Sequence, residues 1–342
     1  MQPIRTLHDF FIRSGAQVLL YHMGRRVTPC SPATLAAFET GEQSWPCPWQ
    51  GQARLACVFT LGDAPEPMIW FLALPLDEQG QLDPGPRDAF LQRLLETLGR
   101  SVEHLGRDDG HVDNLMKDNP LAFTPPLPYQ AMMHARASFD LDHPASQHLE
   151  LVEAYLAGEQ DASQWPALGL QGLADFAVRH DSHQAAALAT RLPELPVEVV
   201  HALCHCLEHV AVESSLTRAL RGRGERAAQQ GDLETLCACV RAVGAGPTDE
   251  VGAWFDDLLD DPHACGPDLL AAIAARGWEH LEDDRRLPLL LQRAAEHPKA
   301  DFFALARDLA LIPRLRLPVL MCLRDATADS AIGRRLTSLH RQ

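Results

Sequence analysis

Three short strings constrain the C-terminal part of the chain most strongly: Leu203-Cys-His-Cys-Leu207, Leu236-Cys-Ala-Cys-Val240 and Leu269-Leu-Ala-Ala-Ile273, each 33 residues from the next. Leu203, Leu236 and Leu269 coincide in this register, as do Leu207, Val240 and Ile273, and Val210 matches Val243. Apolar positions at i, i+4 and i+7 make one buried stripe of a helix. Between the strings, Gln184 to Leu192, Leu216 to Gln229, Val251 to Asp260 and Leu287 to Glu296 read as partner helices. Such a unit of two antiparallel helices buries its apolar face only by stacking on its neighbours, which predicts an α-solenoid. The ankyrin T-P-L-H and tetratricopeptide W-x-x-L-G patterns are missing, so the expected array is HEAT-like or irregular. A non-repetitive helical bundle is the alternative.

The first 100 residues follow a different pattern. Thr6 with Asp9 three positions on fits a helix N-cap, Leu7, Phe10 and Phe11 supply an apolar face, and Gly15 suits the helix end. Residues 17–22 and 25–29 flank Gly24 and predict a hairpin whose turn uses a glycine at positive φ. Ser31 and Pro32 open a second short helix. Arg54 to Leu61 alternates, and Met68 to Leu74 is almost continuously apolar, so both predict strands, joined antiparallel by the loop from Gly62 to Pro67. A helix opened by Pro86 then turns Phe90, Leu91, Leu94, Leu95 and Leu98 inward. The expected order is αββαββα, an α+β domain with one antiparallel sheet covered by helices on one face.

Pro120, Pro125, Pro126 and Pro128 interrupt the pattern between these parts. The predicted organisation is therefore an α+β domain over 1–119, a proline-rich linker over 120–130 and a helical-repeat domain over 131–342. The net charge of -16 is negative in both parts, with 11 basic and 16 acidic side chains in residues 1–140. That balance argues against a general nucleic-acid binder, which needs clustered Lys and Arg. No basic segment precedes an apolar run and no stretch of about 18 apolar residues occurs, so the chain reads as cytoplasmic, without a membrane span. Nine cysteines without framework spacing fit a reducing compartment.

Leu7-x-x-Phe10-x-x-x-Ser14-Gly15, the turn Met23-Gly24-Arg25-Arg26-Val27, the stretch Trp70 to Gly80 and Asp118-Asn119-Pro120 resemble an uncharacterised gammaproteobacterial family known as a domain of unknown function. The resemblance is densest in the first 120 residues. His22 stands where that family's turn motif has an acidic residue. The resemblance implies one continuous two-part protein and transfers no activity.

His205-Cys-Leu-Glu208-His209 is an H-x-x-E-H string, the pattern in which two histidines hold zinc and a glutamate acts as base. Extending the Leu203 helix at 100° per residue places His205, Glu208 and His209 on the side away from the core, so a solvated or partner-facing polar stripe is the simpler reading. Cys204-x-Cys206 and Cys237-x-Cys239 point their thiols about 160° apart on a helix and read as small buried hydrophobes. Arg25 and Arg26 can present guanidinium groups to a carboxylate or phosphate, with Asp77 and Glu78 as internal partners, and Trp45 and Trp49 of the loop Trp45-Pro-Cys-Pro-Trp49 as aromatic anchors. Arginines 314, 316, 324, 334, 335 and 341 make a local basic excess. No Walker A loop, G-x-G-x-x-G, G-x-S-x-G or H-E-x-x-H string occurs.

The expected function is that of a non-enzymatic interaction or adaptor protein without a cofactor, using the helical-repeat surface to bind a protein partner. The alternative is a zinc-dependent hydrolase centred on His205, Glu208 and His209.

Overall fold

The computed structural model describes residues 4–61, 67–103, 116, 119–263 and 265–339, with side chains left out at 98–103 and 339. Residues 62–66 of the predicted loop, the side chain of Leu98, and Asp118 and Arg341 lie outside the described residues. The chain divides into two units, Met1–Pro126 with Leu311–Pro313, and Leu127–Ala310 with Arg314–Gln342.

In the first unit the elements follow as α1 (Leu7–Ser14), β1 (Gln17–Met23), β2 (Val27–Cys30), α2 (Pro32–Glu39), β3 (Gln52–Thr60), β4 (Met68–Pro75) and α3 (Pro84–Glu103). The four strands form one antiparallel sheet in the order β2-β1-β3-β4. The register pairs Leu20 with Cys57, Cys57 with Trp70 and Leu55 with Leu72, so the period of two sends these side chains to one face. Phe10 and Phe11 of α1, Leu35 and Phe38 of α2, and Phe90, Leu91 and Leu94 of α3 close over that face. Trp70 sits at the centre, 4.7 Å from the Phe59 ring centroid, 5.6 Å from Phe90 and 6.1 Å from Phe10. Leu95, expected inward, is exposed, because the apolar face of α3 is narrower than the leucine pattern.

Local chemistry accounts for the helix ends. The Thr6 side chain accepts from Asp9 N at 2.9 Å, and Gly15 closes α1 at φ 68°. Glu39 caps the same helix from outside: its two oxygens accept from Leu7 N at 2.8 Å and His8 N at 2.9 Å, with Arg87 Nη1 at 3.3 Å. Burial pushes the Glu39 carboxyl above the usual range, against those hydrogen bonds.

Gly24 departs from expectation. Its φ is not positive; the turn needs glycine because a Cβ there would stand 2.9 Å from Trp49 Cβ and 3.2 Å from Cys47 O. The proline-rich stretch also differs from a bare linker. Leu121 O accepts from Ala73 N at 2.7 Å and Phe123 N donates to Phe71 O at 3.2 Å, so this segment runs along β4. Pro128 breaks nothing: it lies in the first turn of α4 (Leu127–Asp140), where its missing N–H is not needed.

The second unit is helical. After α4 come α5 (Leu149–Ala157), α6 (Leu170–Arg179), α7 (Ser182–Arg191), α8 (Val197–Leu207), α9 (Ser214–Gln229), α10 (Leu233–Ala242), α11 (Thr248–Asp260), α12 (Pro267–Arg276), α13 (Arg286–Glu296), α14 (Phe302–Leu311), α15 (Pro313–Arg324) and α16 (Ala331–Leu339). Two 3₁₀ turns, Ala162–Ala167 and Trp278–Leu281, interrupt the series. Packing follows two rows: α4, α6, α8, α10 and α12 each contact the next, and so do α5, α7, α9, α11 and α13. Leu203, Leu236 and Leu269 and then Leu207, Val240 and Ile273, the residues of the 33-residue register, are all buried. Among the described residues no helix is long and apolar enough to cross a membrane.

Candidate functional site

The candidate residues of the first unit gather around the β1–β2 turn. Gly24, Arg25 and Arg26 follow β1, and the stiff loop from Trp45 to Trp49 lies against them. Arg25 is fully buried; its Nε donates to Pro48 O at 2.9 Å and its guanidinium lies 5.5 Å from the Trp49 ring centroid. Trp45 is also fully buried, with its ring centroid 4.9 Å from both His22 and Phe38. Its backbone N donates to Gly80 O at 3.0 Å, which joins the loop to the turn that holds Asp77 and Glu78. Asp77 turns inward on its own backbone: Oδ1 accepts from Gln79 N at 2.7 Å and Gln81 N at 2.9 Å.

Thus the Met23-to-Val27 turn, the Trp45 loop and the Asp77-to-Gly80 turn are brought to one edge of the unit. Two buried polar atoms there, His22 Nδ1 and Trp45 Nε1, make no hydrogen bond among the described residues. Burial lowers the His22 pKa to about 4, so the imidazole is neutral at ordinary pH.

The second cluster forms where α8 ends. The helix stops at Leu207, and Glu208 is its C-cap. The expectation that the H-x-x-E-H string faces outward is overturned here: Glu208 and His209 are each 2% exposed. Glu208 still has helical backbone geometry, its N–H donating to Cys204 O at 3.0 Å, so it is covered by what packs on that side of the helix and not by a change of direction of its own chain. Arg241, 33 residues on, holds Glu208 with two hydrogen bonds, Nε to Oε2 at 2.7 Å and Nη2 to Oε1 at 3.0 Å. Arg276 Nε forms an ion pair with Oε1 at 2.9 Å, and its Nη2 donates to Tyr129 OH at 2.7 Å.

Burial alone would raise the Glu208 carboxyl, but the charge of Arg276 and the bonds from Arg241 outweigh it and bring the pKa down to about 2. His209 Nε2 is 3.8 Å from Oε1, and its ring meets Tyr129 edge-on at 4.8 Å. His205 is half-buried, its pKa lowered first by burial.

The arrangement is a carboxylate neutralised by two guanidinium groups. Its oxygens are engaged by arginine, and its low pKa leaves it a poor proton acceptor. Among the described residues no three His, Cys, Asp or Glu side chains come together as a metal-holding group. Cys204, Cys206 and Cys239 are buried, and Cys237 is half-buried. Burial holds the Cys206 thiol at about 12, so it behaves as a small apolar group.

Sequence reasoning found Glu208 but missed Arg241, Arg276 and Tyr129. The separation of Glu208 and Arg241 equals the apolar register, which is the signal that would have paired them. Three of the C-terminal arginines have partners within the chain: Arg314 pairs with Glu282 at 3.2 Å, Arg324 with Asp325 at 2.8 Å, and Arg335 donates to Ala295 O and His297 O.

Residues 2–340 match the model of one family, described as a protein of unknown function, DUF3549. No curated protein and no solved structure matches.

Proposed function

The chain belongs to the DUF3549 family, and from that premise we propose that it is a non-enzymatic cytoplasmic adaptor whose second unit is a HEAT-like α-solenoid presenting a surface to a protein partner. The observation that carries this reading is the spacing of the polar links between successive helices of a row. Gln184 bonds Glu153 at 2.8 Å, Ser182 bonds Glu213 at 2.5 Å, Arg218 pairs with Glu250 at 3.2 Å, Arg241 with Glu208 at 2.7 Å and Arg286 with Asp256 at 3.0 Å. Each link spans 30 to 33 residues.

Links near the length of the apolar register, with Arg241 to Glu208 falling on it at 33 residues, support a stack of nearest-neighbour units. Such a stack leaves long helix faces available for recognition, and the carboxylate in the H-x-x-E-H string serves to join units. Affinity purification of the full chain from its native host, read by quantitative mass spectrometry, tests the proposal. A stoichiometric protein partner is the expected result. Repeated purification with no stoichiometric partner overturns it.

A further inference from the structure

α15 is apolar on two sides, and the chain covers only one of them. Leu315 and Val319, one turn apart, are fully buried. Leu317, Leu320 and Met321 point the other way and are 65%, 47% and 44% exposed. Positions three and four apart are neighbours on a helix, so these side chains make one continuous patch. Of the ten large apolar side chains exposed among the described residues, three thus fall within five consecutive positions. Single exposed apolar residues are ordinary, whereas a patch rimmed by charge marks a surface that something covers. A helix apolar all round is a helix covered all round.

Charge decides what covers the second side. Residues 314–324 hold three arginines and no acidic side chain. At 100° per residue, Arg314 and Arg324 stand within about 60° of Leu317, one toward each end of the patch and about 15 Å apart along the axis. Both are more than two-thirds exposed, and their pairs with Glu282 at 3.2 Å and Asp325 at 2.8 Å are surface pairs, which are worth little. Arg316 stands half-buried at the edge of the same face. A second copy of α15 sets arginine against arginine in either direction: antiparallel pairing about Val319 places Arg314 opposite Arg324, and parallel pairing places each opposite itself. An anionic bilayer draws clusters of about four to eight basic residues, more than this face carries, and the net charge of -16 opposes it. A short acidic helix meets mainly the local positive field, because exposed charges farther than about 8 Å are screened at physiological salt.

We propose that the outward face of α15 docks an amphipathic helix of a protein partner, one with apolar residues three and four apart between two acidic side chains about ten residues apart. Its apolar stripe covers Leu317, Leu320 and Met321, and each carboxylate accepts from one of the guanidinium groups of Arg314 and Arg324. The proposal rests on the adaptor reading, for which it names a surface and a class of partner.

The test uses the full chain and a fluorescent synthetic helix of this pattern, followed by anisotropy, beside a twin whose acidic residues are replaced by lysine. Saturable binding of the acidic helix is expected, weakened about tenfold by Leu317→Ala and about tenfold by Arg314→Glu combined with Arg324→Glu. The double charge reversal should in turn prefer the lysine twin, an exchange that lost folding does not produce. No binding of the acidic helix, equal binding of the two helices by the wild type, or binding unchanged by Leu317→Ala overturns the proposal. So does self-association of the chain that Leu317→Glu abolishes, or binding to phosphatidylserine vesicles that Leu317→Glu abolishes. A stoichiometric partner from the native host that Leu317→Glu retains overturns this surface and leaves the adaptor reading standing.

Discussion

Arg276 Nε lies 2.9 Å from Glu208 Oε1, and the two side chains are 5% and 2% exposed. A charge pair so withdrawn from water is stable only as a pair: each ion alone would bear an uncompensated desolvation cost. Glu208→Gln should therefore destabilise the second unit by about 3 kcal/mol, since Arg276 and Arg241 lose their counter-charge. Urea unfolding read by circular dichroism checks this. A loss within about 0.5 kcal/mol would mean that the pair does not join the helices as described.

The same pair fixes an acid limit. The folded pKa of Glu208 is about 2, below the ordinary 4.5. A depressed carboxylate contributes stability that is fully present above about 4.5 and is lost as pH falls toward about 2. Stability of the wild-type chain should fall across that window, and Glu208→Gln should remove part of the fall. Chemical denaturation at a series of pH values, compared between the two, supplies the measurement.

His22 predicts a pH dependence in the first unit at a higher range. Its pKa is lowered from 6.5 to about 4 by burial. Between these values the unfolded chain binds the proton and the folded one does not, so stability is full above about 6.5 and declines as pH falls toward about 4. His22→Phe, which removes the titrating group and its unpartnered nitrogen, should flatten the stability profile between pH 4 and 6.5. An unchanged slope would show that His22 does not resist protonation in the folded state.

Gly24 tests the turn against its loop. With φ outside the positive range, Gly24→Ala carries no left-handed backbone penalty, but the new Cβ would stand 2.9 Å from Trp49 Cβ. A loss of about 1 to 3 kcal/mol is expected, the usual cost of overpacking. Gly15→Ala, at φ 68° with open space around it, should cost about 1 kcal/mol, through backbone strain alone. Because the clashing atom is Trp49 Cβ, which alanine keeps, the relieving partner is Trp49→Gly: Gly24→Ala should cost less in that background than in the wild type if the clash is its cause.

Thr235 joins two helices through one hydroxyl. Its hydroxyl donates to Asp232 Oδ2 at 2.6 Å and accepts from His201 Nε2 at 2.8 Å, and its backbone N donates to Asp232 Oδ1 at 3.0 Å. Thr235→Val keeps the shape and removes the hydroxyl, so a loss of about 1 kcal/mol is expected, with the His201 ring resonances shifted in NMR spectra. Unmoved His201 resonances would exclude the link across α8 and α10.

Much of the fold was legible in the residues. Period-two alternation placed β3, a continuous apolar run placed β4, capping chemistry at Thr6 and Ser31 placed α1 and α2, and the apolar register with its partner segments placed the helices between residues 184 and 296. These signals are local, because a residue's face is fixed by the geometry of its own element. What sequence could not decide was where an element stops and what comes to meet it. Glu208 reads as solvent-facing when its own helix is considered alone, and is buried because Arg241 and Arg276 arrive from later helices on that side. Gly24 reads as a turn glycine, yet its role comes from Trp49, 25 residues away. Periodicity and caps follow from bonds along the chain, whereas charge pairing, close approach and exposure depend on packing between distant segments. Tertiary structure alone settled those.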